Sequence, residues 1–232
     1  MANNGFSAVK NYWGSIDGLT PKSSSDGAAS SVAEAPNSYG DTIAHDVYGA
    51  TLSPSVEYAV TGEVDLSDIV LGSIHSFGSG GSAKSFMLTN VVVSTAANQP
   101  PTVTISGVQV EAGATAKRTY ALAGTLTPRS RAQDVASAFG APSTGSDFTS
   151  IATTFSVDPH VQSVAGAPVA SDASHGKVEA QGVLTDPTGA AAISAGSGFT
   201  LTSVAQESAP DADYVQLSAT SSKFLVGTEA SS

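Results

Sequence analysis

Ser171-Asp172-Ala173-Ser174-His175-Gly176 brings a hydroxyl, a carboxylate and an imidazole close together in sequence, the three groups of a hydrolytic triad. A triad needs those groups convergent in space, and neighbours on an extended chain point apart. No Gly-x-Ser-x-Gly elbow occurs in the chain. The segment therefore reads as a polar loop entering a strand at Lys177, and no catalytic residue is assigned. Gly78-Ser79-Gly80-Gly81-Ser82-Ala83-Lys84-Ser85 has the flavour of a phosphate loop. That motif needs Gly directly before Lys, and Ala83 stands there. The stretch also leads into a strand, so no helix N-terminus is available for a phosphate. It reads as a flexible hairpin tip.

Metal chemistry fares no better in the sequence. The four histidines are His45, His75, His160 and His175. His45-Asp46 and Asp158-Pro159-His160 each offer two ligands, whereas zinc wants three or four, and no His-Glu-x-x-His occurs. Glu63, Asp65 and Asp68 lack the loop Gly and closing Glu of a calcium hand. Glu63 and Asp65 fall on one strand face, as a glycosidase pair would, but so do carboxylates in most β proteins. With no Cys in the chain, thiolate metal sites, redox dithiols and disulfide scaffolds are excluded. The expectation is no metal, no cofactor and no enzymatic activity. Arg129, Arg131 and the Lys117-Arg118 pair are the main basic spots, and read either as intermolecular ion-pair partners or as surface decoration.

The elements that carry these residues are strands. In Glu57 to Leu66 the residues Tyr58, Val60, Val64 and Leu66 share one face, and Glu57, Thr61, Glu63 and Asp65 the other. Side chains alternate across a strand, so this is a half-buried strand with a wet acidic face. A second strand runs from about Phe86 to Ser94, with Val91, Val92 and Val93 buried on both sides, and Pro100-Pro101 lies beyond its end. A third, Thr102 to Glu111, starts with Val103 and Ile105 in phase and slips at Ser106-Gly107, the mark of a β-bulge. Others are expected at 119–127, 149–157, 177–184, 199–204, 213–218 and 223–226. Ser130 and Gln133 fit a capping box, and Ala132, Val135, Ala136 and Phe139 share one helical face. One short helix is therefore expected at 130–139. The fold class is all-β, a mainly antiparallel sandwich or barrel.

Tyr58…Gly62, Tyr120…Gly124 and Val178…Gly182 repeat a spelling in which Gly lies on the apolar face. Glycine there suggests curling or a close backbone approach. Residues 1–50 differ in character. Phe6, Val9, Tyr12, Trp13, Ile16 and Leu19 form a short apolar cluster, and Lys22 to Ala35 is Ser/Ala/Gly-rich. The domain reading is an N-terminal arm at 1–50, a single β domain at 51–228 and a flexible tail at 229–232, with Lys22 to Ala35 a flexible arm or extended loop.

Composition sets the outer limits. The 232 residues hold 9 Lys and Arg against 20 Asp and Glu, a net charge of −11. A basic nucleic-acid-binding domain is disfavoured at that balance. No apolar run reaches the roughly 18 residues of a membrane span. Val outnumbers Leu about two to one, a strand bias. The start Met1-Ala2-Asn3-Asn4 lacks the basic and apolar regions of a secretory signal, so a cytoplasmic origin is expected.

The curled strands with Tyr58…Gly62 and Tyr120…Gly124, the Ser130–Phe139 helix, the long loop at 76–85 and the acidic, Cys-free composition together resemble the tail tube proteins of tailed bacteriophages and related contractile injection systems. The resemblance implies a virion structural protein assembled in the host cytoplasm. It implies homo-oligomeric stacked hexameric rings, contacts with other virion proteins, and an acidic lumen that DNA crosses without specific binding. No membrane is involved. On this reading Phe86, Met87, Leu88, Val91, Val92, Val93, Val103 and Ile105 form the self-assembly interface, and Glu57, Glu63, Asp65 and Asp68 an acidic channel or outer face. Two other readings stand beside it. One is another virion component, such as a capsid decoration, head or fibre protein. The other is an extracellular β-sandwich binding module.

Overall fold

Val91 and Val93 sit opposite Ile105 and Val103 on neighbouring antiparallel strands, and all four are fully buried. Around that centre the alternating sequence builds an open sheet. The computed structural model describes residues 9–36, 42–78, 83–96, 99–112, 114–132, 134–135, 148–164, 167–186, 193–196, 198–208 and 215–229. In chain order the strands are β1 (Leu19–Pro36), β2 (Thr42–Val60), β3 (Val64–Asp65), β4 (Val70–Leu71), β5 (Ile74–Phe77), β6 (Lys84–Ala96) and β7 (Thr102–Val110). They continue with β8 (Arg118–Ala121), β9 (Thr125–Leu126), β10 (Phe148–Val164), β11 (Ala167–Asp186), β12 (Thr200–Ser208), β13 (Val215–Phe224) and β14 (Thr228–Glu229).

The main sheet has the order β1-β2-β7-β6-β10-β11-β13-β12, with β5 added alongside β6. Two smaller sheets, β14-β8-β4 and β3-β9, form a second layer. Val64, Leu66, Ile69, Leu71, Tyr120, Leu122 and Leu126 of that layer join Val56, Tyr58, Leu88, Ile151, Phe155 and Val178 of the main sheet in one core. The chain is all-β and mostly antiparallel, as the alternation predicts. Among the described residues the sheets stay open and do not close into a barrel.

The phase of burial at Val56, Tyr58, Val60, Val64 and Leu66 is as expected, but the ladder is not continuous. β2 ends at Val60, and Leu66 opens a short 3-10 helix, Leu66–Asp68. Asp65 caps that helix by accepting from the Ser67 N–H at 2.9 Å. The phase slip near Gly107 is real, although the extra residue is on β6: Leu88 pairs with Gly107 and Asn90 with Ser106, leaving Thr89 over. The strand expected at 119–127 is broken into β8 and β9 at Gly124, whose φ is 122°.

Two expectations need correction. Lys22 to Ala35, read as a flexible arm or extended loop, lies in strand β1, which pairs with β2 from Leu19 to Pro36 with three register shifts. Its Ser- and Ala-rich sequence carries no apolar alternation, and cross-strand backbone hydrogen bonds do not require any. Ser171 to Gly176, read as a loop, lies inside β11. The helix at 130–139 is seen only at its start, where the Val135 N–H donates to the Arg131 carbonyl at 3.0 Å and Asp134 Oδ2 accepts from the Arg131 N–H at 2.8 Å. Gln133 and residues 136–139 lie outside the described residues, and so does the hairpin tip at 79–82. Ser130 Oγ accepts from the Thr127 N–H at 3.0 Å.

Of the apolar cluster near the N-terminus, Tyr12 and Trp13 pack as a plug with Ile16 and Leu19 partly buried beside them, Val9 is exposed, and Phe6 lies outside the described residues. The Tyr12 ring is tilted against Phe77 and edge-on to Phe86, with ring centroids 4.4 and 5.2 Å away. Trp13 lies edge-on to His75. Asn11 Oδ1 accepts from the Tyr58 hydroxyl at 2.6 Å.

Candidate assembly surface

Every neighbour pair along the main sheet is antiparallel. The path from β1 to β12 contains eight strands, so its two outermost strands run in opposite directions. Among the described residues neither has a strand partner on its outer side. An outer strand offers a row of unpaired N–H and C=O groups, which other chains can use unless it is blunted. β1 is partly blunted: Pro21 lacks an N–H, Lys22 follows it, and the register shifts between Pro21 and Ser23. β12 carries one register shift, between Leu201 and Ser203. Beyond it, Ser203 to Gln206 are exposed and Val204 retains 50% of its surface.

Two ribbons overhang the sheet. β2 pairs with β7 only at Ser55–Ala59, so among the described residues β1 from Ser31 to Pro36 and the part of β2 facing it have only each other as strand partners. In the same way β10 pairs with β6 only from Ser150 to Ser156, and β11 with β13 only from Lys177 to Asp186. The rest of that hairpin, Asp158–Val164 against Ala167–Ser174, has no third strand among the described residues, although Ala173 at its base is buried in the core beside Gly72. A two-stranded ribbon is marginally stable in water on its own, so contact with a further surface would favour it.

The residues named from sequence as an assembly interface are placed elsewhere. Phe86, Met87, Leu88, Val91, Val93, Val103 and Ile105 are all between 0 and 2% exposed within the single chain. Val92 is half-buried. They belong to β6 and β7, central strands that are flanked on both sides by other strands of the same chain. Their apolar run reflects burial in the chain's own core, and the interface assignment is corrected accordingly. The edge strand β12 was expected as a strand but not as a contact surface, because its sequence, Thr200-Leu201-Thr202-Ser203-Val204-Ala205-Gln206, has no feature of type or spacing that separates edge from interior.

The four acidic residues do not share one strand face. Glu57 lies on β2 and pairs with Lys22 Nζ at 2.6 Å. Glu63 lies between β2 and β3, Asp65 on β3, and Asp68 at the end of the 3-10 helix. All but half-buried Glu57 are exposed. Bonds from Ser67 hold the Asp65 carboxyl below the usual carboxylate range. Asp68 lines a cleft with Trp13, Asp17 and His75. Burial pushes the His75 imidazole down, and its Nε2 is 2.9 Å from Ser73 Oγ.

Four of the nine Lys and Arg side chains pair with acid among the described residues. Lys10 pairs with Asp26, Arg118 with Glu229 and Lys177 with Glu179, besides Lys22 with Glu57. Exposed pairs of this kind add little stability, but they reduce the positive charge on display. No protein-family model matches the chain, and no curated protein matches it.

Proposed function

We propose that this chain is a virion structural protein that assembles side by side into rings, and that the rings stack into a tail tube for DNA passage. The observation that carries the reading is the open main sheet with two oppositely directed outer strands. When copies are repeated around an axis in one orientation, β12 of each meets β1 of the next as an antiparallel ladder. This head-to-tail contact joins two different surfaces, and such contacts close into rings when the rotation closes. The assembly surface is therefore the outer edges of β1 and β12, in place of the β6 and β7 residues. The overhanging ribbons are the further surfaces that a neighbouring copy or ring would cover.

A net charge of −11 supports the passage of DNA. Phosphates are repelled by a surface of like sign, and weak binding favours sliding. Negative-stain microscopy of the purified full chain at high concentration tests the proposal. Rings or tubes of uniform diameter are expected. Monomers under every salt condition would overturn it, and closed shells or irregular fibres would point to another virion component.

A further inference from the structure

The geometry points to a binding site for a divalent first-row cation such as zinc on the β10–β11 ribbon, built from His160, His175 and Asp158 around Ser174. Nothing in the ring proposal is needed for it. Asp158 and His160 are two apart on β10 and so share a face. Ser174 lies opposite Asp158, and Asp172 opposite His160. Ser174 Oγ is 2.7 Å from His160 Nε2 and 2.9 Å from His175 Nδ1. His175 Nδ1 is also 3.3 Å from Asp158 Oδ2.

His175 reaches this face because the backbone is bulged there. Ser156 pairs with Lys177 and Asp158 with Ser174, so the two residues His175 and Gly176 oppose the single residue Val157. Bulges re-aim side chains. His175 has φ 52°, the one non-glycine residue with positive φ among the described residues. A left-handed backbone is costly for such a residue. The bulge is held in place from behind. The Tyr120 ring packs where a Cβ at Gly176 would stand, and the Gly176 carbonyl accepts from the Leu225 N–H at 2.7 Å.

The two imidazole distances suit a small cation in the position of the serine hydroxyl. Each imidazole needs to close by less than about 1 Å to reach the ~2.0–2.1 Å of a zinc–nitrogen bond. The edge of a tetrahedron with such bonds is about 3.3 Å, which matches the separation of His175 Nδ1 from Asp158 Oδ2. As the side chains stand, no group of three or more His, Asp or Glu among the described residues is placed to hold a metal ion, so the site forms only when His160, His175 and Asp158 turn toward the serine position. His160, His175 and Asp158 are exposed, so turning them inward meets little steric resistance. Two imidazoles with a carboxylate favour zinc, copper or nickel over calcium or magnesium.

The test is a calorimetric titration of the chelator-treated full chain with zinc. One zinc per chain is expected, with affinity falling at least about tenfold in His160→Gln and in His175→Gly. Glycine is the informative replacement at 175, because it suits the positive φ and removes only the ligand. His75→Gln, which alters an imidazole remote in sequence from the ribbon, should bind zinc as the wild type does. Absence of saturable binding in the wild type would overturn the site. Unchanged affinity in both His160→Gln and His175→Gly, or loss of binding in His75→Gln alone, would do the same.

Discussion

Trp13 occupies the space that Gly107 leaves open: a Cβ at 107 would collide with the Trp13 ring and with the Met87 carbonyl. The indole is fixed there because Nε1 donates to the Ile105 carbonyl at 3.1 Å. Trp13 is 3% exposed, so it seals the core of the main sheet from the N-terminal side. Trp13→Ala should cost about 3–5 kcal/mol. Gly107→Ala should cost about 1–3 kcal/mol through overpacking. Urea denaturation curves of the two variants check both values, and a wild-type midpoint in either would mean that the plug does not hold the sheet.

Val91→Asp and Val93→Asp should prevent folding of the single chain and should not act selectively on assembly. Both positions are at 0% exposure, and an unpaired buried carboxylate is far costlier than an exposed one. Far-UV circular dichroism and proteolysis of the dilute variants distinguish the outcomes. A folded, soluble monomer that merely fails to assemble would restore these residues to an interface.

Acid should weaken the N-terminal plug before the sheet. Hydrogen bonds from Lys10 and Tyr12 hold the Asp26 carboxyl below its usual range. A carboxylate whose pKa is lowered by folding stabilises above its unfolded pKa, and the contribution is lost as pH falls through the lowered value. The stability of the wild type should therefore exceed that of Asp26→Asn at neutral pH and converge on it in acid. Parallel curves at all pH values would show that Asp26 contributes nothing.

Tyr58→Phe removes the hydroxyl that donates to Asn11 and leaves the buried ring. The expected cost is about 1 kcal/mol, read from denaturant midpoints. Burial also raises the Tyr58 pKa, so the phenol stays protonated and this contribution holds below its unfolded pKa of roughly 10, fading only at higher pH.

Much of the fold was legible where apolar residues alternate. Tyr58, Val60, Val64 and Leu66 are buried in the phase read from sequence, and β6 and β7 lie near their expected positions, whereas the two strands expected at 213–218 and 223–226 are replaced by the single strand β13. Ser- and Ala-rich β1 was not legible, because its strand state comes from backbone pairing with β2 and leaves no periodic trace. The candidate surfaces were harder still. Val91 and Val93 look the same in sequence whether they face a neighbour or a core. His160 and Ser174 are 14 residues apart, and only the β10–β11 register brings their side chains together.

Proline substitution on β12 tests the edge assembly most directly. N–H groups alternate along a strand, so of Ala205→Pro and Gln206→Pro one removes a donor facing β13 and the other a donor facing outward. Microscopy and sedimentation of the full chain should show rings for the wild type. The variant that keeps wild-type stability should give folded monomers only. Rings of unchanged diameter in that folded variant would contradict assembly through β12.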